Sequence, residues 1–136
     1  MIRIARVGDI SVGDVVRRSP FAGVAGAEET LKECLHRSIE VRYGLIDGKI
    51  ACVWGLIPPT ILSEQAYLWL ITTDIIAEHK FLFVRNAQRY VEEALKQYPE
   101  LIGEVGDARA VRWLKWLGAE FTPLVEGKIA FTIRKR

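Results

Sequence analysis

Six consecutive residues, Asp74 to His79, hold two carboxylates and an imidazole just beyond an apolar run that ends at Ile71. Asp74, Glu78 and His79 are side chains of the kind that take a proton from an attacking nucleophile. Tyr67, inside that run, and Tyr43, on an earlier apolar segment, carry phenols of the kind that return one to a leaving group. Each also has a plainer role: Asp74 as a turn or cap residue, Glu78 as a first-turn charge, the tyrosines as sheet or core residues. Other chemistries lack their parts. Cys34 and His36 are two residues apart on a helical segment and point to different faces, and no second pair completes a metal shell, so no metal site is expected. Ser19 and Ser63 have no histidine and acid nearby, which leaves nucleophilic hydrolysis without support.

Basic residues gather in two places. Lys80, Arg85 and Arg89 open one helical segment, with the two arginines a turn apart, and Arg109, Arg112 and Lys115 decorate a second. Such faces suit phosphates or a nucleic-acid backbone; the plain alternative is a solvated helix face. Trp113 and Trp116 are three apart on the second segment, so at least one is expected at the surface as a stacking or contact residue. The chain as a whole carries no strong field: 19 Lys and Arg against 17 Asp and Glu give +2. A partner such as nucleic acid must therefore be read by a local patch.

With 136 residues, half of them hydrophobic, one domain over 1–136 with a substantial core is expected. Cys34 and Cys52 read as buried free thiols, not a disulfide. Charges interrupt every apolar run near the N-terminus, and the longest runs fall far short of the ~20 residues of a membrane span. No membrane partner is expected, and the reducing cytoplasm is the expected compartment.

Apolar spacing orders the elements that must position these groups. Ile2 to Arg6 alternates like a short strand, and a helix from about Gly8 to Arg18 follows. Ala27 to Ser38 is a helix with Leu31, Cys34 and Leu35 on one face. Ile39–Ile46 and Lys49–Ile57 form a hairpin across Asp47-Gly48. Tyr67 to Thr72 or Thr73 is a central strand, Glu78 to Tyr98 a long helix, and Leu101 to Val105 a strand. Asp107 caps a helix stopped by Gly118, and Phe121–Val125 pairs with Lys128–Ile133 across Glu126-Gly127. The order β, α, α, β, β, β, α, β, α, β, β indicates the α/β class: a mixed sheet of about seven strands with helices on both faces and a right-handed crossover around the long helix.

The segment DARAVRWLKWLGAEF, from Asp107 to Phe121, resembles the last helix and strand turn of the GNAT superfamily of acyl-CoA N-acyltransferases. That pattern is roughly Asn-x-x-Ala-x-x-x-Tyr-x-x-x-Gly-Phe, and the spacing from cap to glycine matches. WLITTD, RWLKWLGA and FTIRK make the C-terminal half similar to the small GNAT-like proteins of tailed bacteriophages, among them the internal virion protein of short-tailed coliphages. The resemblance implies a GNAT-like domain, acetyl-CoA or a related thioester as co-substrate, and an amine acceptor: a small molecule, a protein or an aminated DNA base. It implies as cofactor-binding residues Thr72, Thr73, Ile75, Ile76, Ala77, Lys80, Arg85, Asp107, Arg109 and Arg112. Catalysis would fall to Asp74, Glu78 or His79 as base and Tyr67 or Tyr43 as acid. A splay of the central strand from its neighbour is expected after Thr72. A homodimer and the host cytoplasm or virion are further implications.

Three positions depart from the family pattern. The stretch 75–85 contains no glycine where the family places a phosphate-cradling loop like Arg/Gln-x-x-Gly-x-Gly/Ala, Leu114 stands at the tyrosine acid's position, and Asp107 replaces the capping asparagine. They keep open a second reading, a catalytically silent GNAT-like virion, assembly or host-factor-binding protein, and a third, nucleic-acid binding without catalysis.

Overall fold

The computed structural model describes residues 2–6, 8–58, 64–105, 108–124 and 128–134, the side chains of 108 and 109 excepted. Its strands are β1 (Ile2–Ile4), β2 (Glu40–Ile46), β3 (Lys49–Ile57), β4 (Gln65–Thr72), β5 (Glu100–Val105), β6 (Glu120–Pro123) and β7 (Ile129–Arg134). The helices are α1 (Val12–Arg17), α2 (Ala27–Arg37), α3 (Lys80–Gln97) and α4 (Ala108–Trp116), with a 3-10 helix at Asp74–Glu78. The strands form one mixed sheet in the order β1-β2-β3-β4-β5-β7-β6, as the α/β reading expects.

Two compact units divide the chain: Met1–Ile57 with Trp69–Lys80, and Pro58–Leu68 with Phe81–Arg136. In the first, Asp47 and Gly48 both take positive φ, 53° and 75°, which is the twist a two-residue hairpin turn needs. Antiparallel pairing joins Ile46 to Lys49 and Glu40 to Leu56, with one register shift at Gly44/Leu45. The core of this unit is Val15 and Val16 of α1, Leu31 of α2, all of β3 from Ala51 to Ile57, and Trp69 and Ile71. Gly55 makes room for Trp69: a Cβ there would lie 2.8 Å from both its ring and the Glu40 carbonyl. The Trp69 indole N–H donates to Ser38 Oγ at 2.7 Å, which satisfies a buried donor.

In the second unit β5 pairs parallel with β4 and antiparallel with β7, and β7 pairs antiparallel with β6. Ala66, Leu101, Phe131 and Ile133 from the strands and Tyr90, Val91, Ala94 and Leu114 from α3 and α4 are buried. Gly118 has φ 84°; its N–H donates to Lys115 O at 3.0 Å and that of Ala119 to Leu114 O at 3.2 Å. This is the Schellman stop expected of a C′ glycine.

Several boundaries differ from expectation. α1 starts at Val12 rather than near Gly8, because Asp9 closes a turn, its carboxylate accepting from Arg6 N at 2.7 Å. The long helix starts at Lys80, not Glu78: the preceding residues wind as a 3-10 helix and His79, at φ −132° and ψ 34°, breaks the helical path. β4 begins at Gln65, two residues before Tyr67. The β4–β5 ladder consists of Gln65↔Glu100, Ala66↔Leu101 and Tyr67↔Ile102. It therefore ends five residues before the Thr72 where divergence was expected. The Asp107 cap and the Glu126-Gly127 turn lie outside the described residues.

Candidate active site

Thr73 anchors the end of β4. It is buried; its N–H donates to Ala51 O at 2.9 Å and its hydroxyl to Ile50 O at 2.8 Å. β3 thereby fixes where the chain leaves the sheet. Asp74 next takes two contacts from the C-terminal end of α1: its N–H donates to Arg18 O at 2.9 Å and its carboxylate meets Arg18 Nε at 3.2 Å. The ion pair is largely exposed and is worth at most about 1 kcal/mol, so it orients more than it stabilises.

Beyond this anchor the 3-10 helix faces the β2–β3 turn. Asp74, Ile75, Glu78 and His79 line a concavity of about 240 Å³ together with Ile46, Asp47 and Lys49. All seven lining residues belong to the first unit. The three proposed bases are thus brought to one place, with carboxylates, an ammonium and an imidazole around a single opening. Asp47 and Lys49 were not foreseen. Asp47-Gly48 was legible as a turn, but nothing in linear spacing sets residue 47 beside residue 78; the hydrogen bonds of Thr73 to β3 do that.

The remaining expected residues are dispersed. Tyr67 is half-buried on β4 opposite Ile102, and Tyr43 is buried on β2 opposite Val53; neither lines the concavity. Thr72 and Ile76 are half-buried and Ala77 is exposed. Lys80, Arg85 and Arg112 are exposed, while Asp107 and the side chain of Arg109 lie outside the described residues. Leu114, at the position of the family's tyrosine acid, is 1% exposed and belongs to the core. Among the described residues no three His, Cys, Asp or Glu side chains cluster to hold a metal, and no helix is long and apolar enough to cross a membrane.

Backbone donors explain what the absent glycines cost. The N–H groups of Asp74, Ile76 and His79 are already given to Arg18 O, Thr73 O and Ile76 O. Those three amides are not open to an anion, whereas the first turn of α3 offers N–H groups without an intrahelical acceptor and a dipole that favours negative charge. Lys80 stands on that turn and Arg85 on the next, so their charges suit a phosphate. Neither thiol offers a nucleophile: burial raises the pKa of Cys34 and pushes that of Cys52 up to about 12.

No protein-family model matches the chain, and no curated protein matches it in sequence. Solved structures match it over nearly its whole length. An acetyltransferase of Bacillus subtilis in complex with CoA superposes with TM-score 0.72 at 11% identity, covering 99% of this chain and 98% of that one. The ribosomal-protein-S18-alanine N-acetyltransferase of Escherichia coli gives 0.74 at 18%, covering 98% and 92%. A GNAT family acetyltransferase of Elizabethkingia anophelis with acetyl-CoA bound gives 0.70 at 12%, covering 99% and 97%. At these identities the likeness is one of fold, and the chain has the fold of these acetyltransferases.

Proposed function

We propose that residues 1–136 act as one N-acyltransferase domain moving an acyl group from acetyl-CoA, or a related thioester, to an amine. The observation that carries this reading is the early end of the β4–β5 ladder in a sheet with the fold of known acetyltransferases. Among the described residues the β4–β5 ladder ends at Tyr67↔Ile102, and backbone groups beyond such an end are the kind a pantetheine arm pairs with. The first turn of α3 with Lys80, and Arg85 on the next turn, supply donors and charge for the phosphates. In the transfer the amine nitrogen bonds to the thioester carbonyl carbon, the C–S bond breaks, and the ammonium proton leaves to a base. Glu78 and His79 are the bases best supported, since Asp74 is held by Arg18. Tyr67 and Tyr43, the candidate acids for returning a proton to sulfur, lie outside the concavity, and Leu114 offers none.

The resemblance of the C-terminal half to phage proteins supports a bacteriophage origin. The buried Leu114 and the committed amides of the 3-10 helix favour a second reading, a catalytically silent binding domain of the same shape. Isothermal titration with acetyl-CoA separates the two. Micromolar binding accompanied by a raised melting temperature supports the acyltransferase. Absence of binding at millimolar ligand rejects it in favour of the silent domain.

A further inference from the structure

α3 and α4 carry an outer surface of which the acyltransferase reading uses only Arg85, with Arg112 implied as a cofactor contact by the resemblance. β5 runs parallel to both β4 and, through β7, to β6, so the two right-handed crossovers set α3 and α4 on the same side of their strands. Phe83 and Trp113 bring them together, ring edge to ring face at 5.2 Å. On α3 the buried line is Tyr90, Val91 and Ala94, and at about 100° per residue Arg85 and Arg89 fall opposite it. On α4 the buried residue is Leu114, and Arg112 and Trp116 fall opposite.

Arg85, Arg89, Arg112 and Lys115 are all exposed, and among the described residues none of them is ion-paired. In the first unit, by contrast, Arg17, Arg18, Arg37 and Arg42 each meet a carboxylate. The first acid on α3 is Glu92, and α4 has none. Alongside these cations Trp116 is 70% exposed and Phe81 79%. A nearly neutral chain thus sets Arg85, Arg89, Arg112 and two bare aromatic rings on the outward sides of α3 and α4, with Lys115 on the flank of α4. A second copy of the same face would be repelled, whereas a strand of phosphates and unpaired bases satisfies both features at once.

We propose that this α3–α4 face binds single-stranded nucleic acid, with a base stacked on Trp116 and phosphates on Arg89, Arg112 and Lys115. The inference is independent of the acyltransferase reading. The test is fluorescence anisotropy with a labelled oligothymidylate of about 12 nucleotides, inside the ~4–16 nucleotides of compact single-strand sites. Binding is expected to weaken with salt at a log–log slope of roughly −2, about −0.7 per phosphate. Arg89→Glu with Lys115→Glu should flatten that slope by roughly 1.4. Trp116→Ala should weaken binding roughly 5- to 100-fold, and Trp116→Phe should restore most of it. All three positions are exposed, so thermal melts of the variants should match the parent, and their acetyl-CoA titrations should be unchanged, which lets the two readings fail separately. No binding at low salt, indifference to Trp116→Ala, or equal affinity for duplex would overturn the proposal.

Discussion

Glu78 and His79 share an opening with Asp47 and Lys49, and their value lies in reach rather than in burial. Both sit near the surface, so Glu78→Gln and His79→Ala should leave stability within about 0.5 kcal/mol. If one of them accepts the amine proton, its loss should slow acyl transfer by roughly 10² to 10⁴. Rates and melts measured together decide it, and unchanged turnover in both variants removes the base role. Cys52 gives a second prediction at this scale. Its thiol ionises near 9.0 when unfolded and at about 12 when folded. The raised folded value means the contribution is complete below about pH 9 and is lost as pH rises toward 12, at about 1.4 kcal/mol per pH unit. Chemical denaturation at about pH 8 and pH 10.5 should show roughly 2 kcal/mol more loss in the parent than in Cys52→Val.

Among the elements, β5 is the one with least room. A Cβ on Gly103 would stand 2.5 Å from the Phe131 ring and 2.8 Å from the Leu68 carbonyl. Gly103→Ala should cost about 1–3 kcal/mol through forced displacement, visible as a lowered denaturation midpoint. A melt like the parent's would show that Phe131 gives way freely. Thr73→Val should cost about 1 kcal/mol by removing the hydroxyl bond to β3. Periodicity made most elements legible: the hairpin, the apolar β3 and β4, and the stop at Gly118 stand where the residues put them. It failed at the approach to α3, because IIAEHK has helical spacing while the residues just before it are fixed by tertiary hydrogen bonds, Thr73 to β3 and Asp74 to Arg18. For the same reason the three bases were legible as a group and Asp47, Lys49 and Arg18 were not. That one of Trp113 and Trp116 would be exposed followed from their spacing, but that it is Trp116, and that a basic surface surrounds it, required the helix packing to be known.

At the scale of the whole molecule, the sheet order and its match to acetyltransferase folds weigh more than any single residue. A chain that keeps the fold yet withdraws its loop amides should bind acetyl-CoA mainly through α3. Lys80→Ala with Arg85→Ala should therefore weaken acetyl-CoA binding by roughly tenfold or more, given ~1.5–3 kcal/mol for a charge-assisted contact. An unchanged titration would place the phosphates elsewhere.

The chain enters and leaves its two compact units three times, at Ile57/Pro58, Leu68/Trp69 and Lys80/Phe81. On a ribosome adding about 5–20 residues per second, β3 would be complete roughly one to five seconds before Trp69–Lys80 emerge to finish the unit around it. Over that interval the nascent chain carries the apolar stretch from Ala51 to Ile57 without Trp69 and Ile71, which complete the core around it. Chaperone contact during synthesis is expected there first, and a transcript truncated before codon 80 should give an aggregating fragment rather than a small folded protein.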